Sequence, residues 1–69
     1  MEELVQNNVQ KLRKAEKVTQ EEFADAIGVT RQTVIAIEKG NYTPSVLLAL
    51  KISAYFSTPV NDIFSIKKK

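Results

Sequence analysis

Two adjacent side chains, Arg31 and Gln32, carry planar groups that can each form two parallel hydrogen bonds to a planar partner. A guanidinium donates both bonds, whereas a carboxamide donates one and accepts the other. Both residues follow Thr30, and threonine is a residue type that commonly caps the N-terminus of a helix. The sequence therefore predicts that these two side chains lie in the first turn of a helix. Which partner they can bond depends on how the rest of the chain positions that helix.

The segment before this helix carries a second start signal. In Thr19-Gln20-Glu21-Glu22 the threonine and the second glutamate have the spacing of a capping box. Gly28 lies between the two helix starts, where a left-handed residue typically ends a helix. Two short capped helices joined by a tight glycine turn are the pattern of a helix-turn-helix motif.

Similar signals along the 69 residues predict a single all-α domain. Pro44 and Pro59 are typical first-turn residues, and the helix after the second of them is short. The alternation in Phe64-Ser65-Ile66 predicts a short C-terminal strand that pairs with Leu4-Val5. The predicted helices cover residues 8–16, 20–27, 31–39, 46–56 and 60–64.

Helical spacing separates an inward from an outward face in the third helix. With Val34 and Ile37 in the core, the N-terminal outward residues can reach base edges in the DNA major groove. Arginine bonds O6 and N7 of guanine, glutamine bonds N6 and N7 of adenine, and apolar groups pack on thymine methyls. The residues predicted to face bases are Arg31, Gln32, Ile35 and Ala36. The whole predicted core is Val9, Leu12, Phe23, Ala24, Ile27, Val34, Ile37, Leu48, Ala49, Ile52, Phe56 and Ile63.

Composition argues against several other classes of protein. The chain has no cysteine and no histidine, which removes disulfides, thiolate metal sites and imidazole catalysis. The sequence offers neither a nucleophile beside a base nor a glycine-rich phosphate loop. We therefore expect no enzyme activity, no cofactor and no metal site.

The apolar runs and the N-terminal charges argue against a membrane protein and a secreted protein. The longest apolar run, residues 46–50, is far too short to span a membrane, and the acidic start is unlike a signal peptide. We therefore expect a cytoplasmic protein without a membrane partner.

The net charge of +2 includes three of the ten positive charges in Lys67–Lys69, so the body has seven positive and eight negative charges. Nucleic-acid binding must therefore be argued from where the charges lie. We interpret residues 1–66 as the domain and residues 67–69 as a basic tail, either a solubilising disordered end or an attraction to the DNA backbone.

The run TQEEFADAIGVTRQTVIAIEKGNYTPS, residues 19–45, combines helix phase, turn glycine and cap residues. Over about residues 7–64 the chain resembles the DNA-binding domain of the phage Cro and repressor family, the xenobiotic-response-element (XRE) type. It is most similar to the short single-domain regulators of that family. The resemblance implies a five-helix, lambda-repressor-like domain that binds double-stranded DNA and regulates transcription.

The resemblance also implies roles for individual residues. It pairs Arg13 with Glu38, a structural ion pair that ties the first helix to the third. Gln20, in the first turn of the second helix, is expected to contact a phosphate, as free backbone amides there also suggest. Lys39 and Asn41 could equally belong to a solvated loop, and the Tyr42 ring could instead shield the core edge. The residues expected at the DNA backbone are Gln20, Thr30, Thr33, Lys39, Asn41, Tyr42 and Thr43.

Three positions depart from the family pattern. Ile35 replaces a small polar residue, so a methyl contact is favoured there over a polar contact. Ser57 stands where glycine often ends the fourth helix, which predicts either a strained turn or a different cap. Leu47 occupies a position that is usually polar, so the fourth helix is apolar over more than one stripe.

This surplus of apolar residues predicts a second chain. More large apolar side chains are present than one small core absorbs, and exposed apolar clusters usually mark interfaces. We expect a homodimer that places two recognition helices about one DNA turn apart and represses by covering an inverted-repeat operator. The alternative is an antitoxin-like module that grips a protein partner and also binds its own operator. The predicted interface residues are Leu47, Leu50, Tyr55, Ile63, Phe64 and Ile66.

Overall fold

The computed structural model describes residues 3–68, which form five helices between two terminal strands. The prediction of an all-α domain with a helix-turn-helix and a short strand pair is confirmed. The second and fourth helices have their predicted bounds, the first is one residue shorter at each end, and the third and fifth each end one residue earlier. The elements in chain order are β1 (Glu3–Asn7), α1 (Val9–Ala15), α2 (Gln20–Ile27), α3 (Arg31–Glu38), α4 (Val46–Phe56), α5 (Val60–Ile63) and β2 (Phe64–Lys68).

Three helices begin at a hydroxyl cap. The side chains of Thr19, Thr30 and Ser45 each accept a hydrogen bond from the backbone N–H three residues later, at 3.0, 3.3 and 3.1 Å. Each bond satisfies a donor that the first turn leaves unpaired, which is worth about 1 kcal/mol. Local sequence therefore fixes where α2, α3 and α4 begin.

Four helices end with the same pair of crossed backbone bonds around a left-handed residue. Gly28 and Gly40 occupy this position after α2 and α3, with φ of 75° and 80°. Lys17 and Ser57 occupy it after α1 and α4, with φ of 58° and 50°. Because a side chain is disfavoured in this region, the α4 end carries the strain that the serine predicts, and the serine does not recruit another cap.

The helices enclose one apolar core. Leu12, Ala49 and Phe56, which the sequence also placed in the core, are half-buried at its margin. The rings of Phe23, Tyr55 and Phe56 form a cluster whose three centroid separations are 5.1–5.2 Å, a distance typical of favourable aromatic pairs. The buried apolar residues are Val9, Phe23, Ala24, Ile27, Val34, Ile37, Leu48, Ile52 and Ile63.

The two strands form an antiparallel pair with Val5 opposite Ile66 and Glu3 opposite Lys68. The strand β2 runs past the domain boundary predicted after residue 66, so Lys67 and Lys68 belong to the sheet instead of a disordered end. Lys69 lies outside the described residues. Within residues 3–68, no helix has the length and apolar character that crossing a membrane would require.

Candidate nucleic-acid interface

The first helix of the motif, α2, starts with a complete capping box. The Glu22 amide donates to the Thr19 hydroxyl at 3.0 Å, and the Thr19 amide donates to the Glu22 carboxylate at 2.9 Å. The bond from the Thr19 backbone, with a smaller contribution from its hydroxyl, lowers the pKa of Glu22, since both favour the charged form. The capping box therefore fixes the start of α2, which lies beside Arg31 of α3.

The turn between α2 and α3 is closed by backbone bonds. The Val29 amide donates to the Ala24 carbonyl at 3.0 Å, with Gly28 in the left-handed region. Thr30 then caps α3, and its hydroxyl lies 3.1 Å from that of Thr33. The two threonine hydroxyls expected at the DNA backbone therefore bond to each other in the free protein.

The helix α3 is anchored by two apolar side chains and presents its polar end to solvent. Val34 and Ile37 are both 0% exposed, whereas Arg31 and Gln32 are exposed. Ile35, predicted to face thymine methyls, is half-buried, as is Ala36. The four predicted base-facing residues thus lie on one helix, whose other side is packed in the core through Val34 and Ile37.

Two open grooves flank this end of α3. One, of about 480 Å³, brings Arg31 together with Arg13 and the start of α2, including Gln20. The other, of about 350 Å³, brings Gln32 together with the loop after α3, including Tyr42. Adjacent residues in the sequence therefore line opposite flanks of the helix.

Four of the seven residues predicted at the DNA backbone line these grooves, Gln20 in the first and Thr33, Asn41 and Tyr42 in the second. The loop that follows α3 is exposed at Lys39, Asn41, Tyr42 and Thr43. Its path is fixed by Gly40, whose amide donates to the Ile37 carbonyl at 3.0 Å. Gln20 is half-buried at the start of α2. The arrangement places polar donors beside the residues that the sequence predicts to face bases.

A nearly buried ion pair joins α1 to the end of α3. The Arg13 guanidinium donates to both oxygens of Glu38, at 2.6 and 3.2 Å, and to the Val18 carbonyl at 2.8 Å. The two side chains are 9% and 3% exposed. The hydrogen bond to Glu38 raises the pKa of Arg13 despite the opposing effect of burial. The structure thus brings together the two residues that the family resemblance paired.

The structure shows contacts that the sequence interpretation did not contain. The Gln20 amide donates to a Glu38 oxygen at 3.1 Å, so this residue supports α3 as well as facing a groove. Asn7, which no motif singled out, donates to the Ile37 carbonyl at 2.9 Å. Both bonds join residues far apart in sequence, and local pattern reading has no signal for such pairs.

Large apolar side chains are also exposed on α4 and β2. Leu47, Leu50 and Ile66 are 66%, 55% and 66% exposed. Tyr55 is 38% exposed because its ring packs on Phe23.

The assignment of Ile63 to this second surface is corrected. The Ile63 side chain is 1% exposed because α5 closes the core, and Phe64, beside it, is half-buried against that core. The free apolar surface is therefore formed by α4 and the outer part of the sheet.

The chain belongs to the helix-turn-helix family HTH_3, whose sequence model matches residues 9–63. The resemblance to XRE-type regulators is thereby confirmed, and the protein is a DNA-binding helix-turn-helix transcriptional regulator. The motif of this class is the α2–turn–α3 unit described above.

Individual relatives agree with this class. The chain is 48% identical over 65 residues to the HTH-type transcriptional regulator YgzD of Bacillus subtilis (strain 168), covering 94% of this chain and 98% of that protein. It is 30% identical over 59 residues to the cryptic phage CTXphi transcriptional repressor RstR of Vibrio cholerae, covering 86% of this chain and 53% of that protein. The crystal structure of the transcriptional regulator VanUg shares the fold, with a TM-score of 0.78 at 23% identity over 100% of this chain and 92% of that one.

Proposed function

We propose that the protein represses transcription by binding an inverted-repeat operator as a homodimer, with α3 of each copy in the major groove. The observation that carries the proposal is the division of α3 into an exposed polar end and a fully buried apolar side. This division is what a recognition helix needs, because base-reading groups must be free while the helix itself is held rigidly. In this role Arg31 and Gln32 bond base edges, and Ile35 and Ala36 pack on thymine methyls.

Contacts to the DNA backbone would come from both flanking grooves. The start of α2 offers Gln20, and the loop after α3 offers Lys39, Asn41 and Tyr42. Thr30, Thr33 and Thr43 complete the set, with the two α3 hydroxyls exchanging their mutual bond for phosphate oxygens. Such contacts position a protein on DNA without reading its sequence. Repression follows if the bound dimer covers a promoter, and the similarity to a phage repressor supports this direction of regulation.

The homodimer rests on the apolar surface of α4 and β2. Three large apolar side chains more than half exposed, Leu47, Leu50 and Ile66, are costly to leave in water. A two-fold dimer buries the same patch from both copies and sets the two reading helices about one DNA turn apart.

The test is selection of binding sites from random duplex DNA by the purified protein. We expect a palindromic consensus with two half-sites about 10 base pairs apart, and affinity that falls steeply as salt rises. A Gln32→Ala variant should lose selectivity at one base pair of each half-site. Gln10→Ala removes the same group from the exposed side of α1 and should leave the consensus unchanged. Recovery of no consensus, or of an unpaired single site, would contradict the proposal.

The same apolar surface supports the second candidate, an antitoxin-like module that holds a protein partner. The two candidates differ in what covers Leu47 and Leu50. Size measurement of the purified protein decides between them, because a repressor forms a dimer alone, whereas the module stays monomeric until its partner is added.

A further inference from the structure

We infer that Asn7 is a positioning residue that holds the recognition helix at its reading angle from the opposite end. Its side chain connects three elements. The Asn7 amide nitrogen donates to the Ile37 carbonyl in the last turn of α3 at 2.9 Å, and its amide oxygen accepts from the Val9 N–H at the start of α1 at 3.0 Å. Through its backbone, Asn7 also belongs to β1, opposite Phe64 of β2.

The Ile37 carbonyl, which accepts the hydrogen bond from Asn7, also takes part in the backbone bonds that end α3. The Ile37 carbonyl also accepts the Gly40 amide at 3.0 Å, one of the two crossed bonds that close the helix. Asn7 therefore bonds the last turn of α3 at the point where the reading helix passes into the loop that borders the DNA groove. The next residue, Glu38, is held by Arg13 of α1. The backbone of one residue and the side chain of its neighbour are thus both fixed to the N-terminal region.

The length of α3 explains why its last turn needs fixing. The helix has only eight residues and buries two of them, and because apolar packing is non-directional, directional bonds are needed to fix its angle. Arg31 lies about 10 Å from Ile37 along the helix axis, from the rise per residue. A small rotation at the last turn therefore displaces the reading groups by a distance that matters, since a recognition constellation must be held to within about 0.5 Å.

The neighbouring Asn8 provides a matched control. Its amide nitrogen donates to the Asp62 carbonyl at 3.1 Å, so it joins the same N-terminal segment to α5 instead of α3. Asn7→Asp keeps the oxygen that accepts from Val9 but loses the donor to Ile37. Asn8→Asp introduces the same charge one residue away and leaves the α3 contact in place.

The first measurement compares affinity for the selected operator with affinity for a random duplex, at a temperature where every variant is folded. It rests on the proposed function, because it needs an operator. We expect Asn7→Asp to lower the operator-to-random ratio about threefold to tenfold, the fold-change of a lost hydrogen bond, with random-duplex affinity equal to that of Asn8→Asp. A purely structural role would lower both affinities together. That result, or an unchanged ratio, would overturn the inference.

The second measurement needs no DNA and therefore separates this inference from the proposed function. Amide hydrogen exchange at Gly40 should be about threefold to tenfold faster in Asn7→Asp than in Asn8→Asp, because the end of α3 has lost its external support. Equal exchange in the two variants would overturn the inference even if an operator is found. If Asn7→Asp does not fold, the uncharged pair Asn7→Ser and Asn8→Ser replaces it, since serine keeps a shorter acceptor for Val9 and cannot reach Ile37.

Discussion

The helices α3 and α4 are built in the same way and present opposite surfaces. Each begins at a hydroxyl cap, ends at a left-handed residue and buries two apolar side chains in the core. In α3 the exposed residues at the start are Arg31 and Gln32, whereas in α4 they are Val46 and Leu47, 77% and 66% exposed. The buried side of a helix therefore fixes its place in the fold, and the exposed side determines which kind of partner it can meet.

The two helices also differ in what holds them. The end of α3 is tied by directional bonds from Arg13 and Asn7 to Glu38 and Ile37. The end of α4 instead contributes to the aromatic cluster with Phe23. Hydrogen bonds fix an angle, whereas apolar packing is non-directional, so the helix proposed to read DNA is the one whose end has polar support from distant elements.

The largest expected effect comes from removing the support of α3. Arg13→Ala leaves the Glu38 carboxylate, 3% exposed, with the Gln20 amide but without its charged partner. We expect a loss of about 3–5 kcal/mol in the free energy of unfolding, measured by urea denaturation. Lys14→Ala, on the exposed side of α1, should change it by less than about 0.5 kcal/mol. Adding Glu38→Gln to Arg13→Ala should restore part of the loss, and a double variant no more stable than Arg13→Ala would contradict this account.

The reading surface of α3 is tested by Arg31→Ala. Because Arg31 is exposed, the free energy of unfolding should stay nearly unchanged. Operator affinity should fall by about 1–3 kcal/mol per half-site, with relaxed selectivity at one base pair, as measured by titration of operator duplexes that differ at single positions. Lys11→Ala removes a positive charge from the exposed side of α1 and should leave the selectivity intact. Equal selectivity in the two variants would show that another surface reads the DNA.

The apolar surface of α4 is tested by Leu50→Ala. The side chain is 55% exposed, so its loss should weaken dimerisation by about 1–2 kcal/mol and leave the monomer's fold intact. Sedimentation equilibrium measures the dimer dissociation constant directly. Lys51→Ala, the next residue on the same helix, is the control and should change dimerisation little. A dissociation constant that Leu50→Ala leaves unchanged would place the interface elsewhere.

The smallest effects are expected at the left-handed residues that end α3 and α4, Gly40 and Ser57. Ser57→Gly should stabilise the protein by about 0.5–1 kcal/mol, because relief of the left-handed strain exceeds the added entropy of the unfolded chain. Gly40→Ser is the reverse change and should destabilise by about 1 kcal/mol. A Cβ at Gly40 would meet no atom within 4 Å, so this loss would report backbone strain, offset by the lower entropy of the unfolded chain, without a steric clash. Thermal unfolding measures both, and equal signs for the two changes would contradict the account.

The starts and ends of the helices could be predicted from the sequence because their signals are local. Thr19 with Glu22, and Thr30 with Thr33, lie within one turn of each other, so their types and spacing suffice to predict the bonds that form. The same is true of Gly28, since a left-handed helix end favours glycine whatever packs around it. These signals also predicted that Arg31 and Gln32 would be exposed at the start of α3.

The strands and the roles of the last residues depend on pairing across the whole chain. The alternation in Phe64-Ser65-Ile66 predicted β2 and its pairing with Leu4-Val5, but not the register or the full length of the strands. The strand β1 buries none of its side chains fully, so only its partner β2 makes it a strand. Ile63 and Ile66 are the same residue type three positions apart, yet one is 1% and the other 66% exposed. Apolar character predicts that a side chain avoids water but does not determine which surface covers it.

The sequence by itself determined the helical elements, their caps and the residues exposed at the start of α3, because these follow from interactions within a few residues. Only the tertiary structure decided how that helix is held. Asn7 meets Ile37 across 30 residues, Arg13 meets Glu38 across 25, and Gln20 joins that pair across 18. Such bonds form between groups whose distance in space is set by the packed core, and no local pattern encodes that distance.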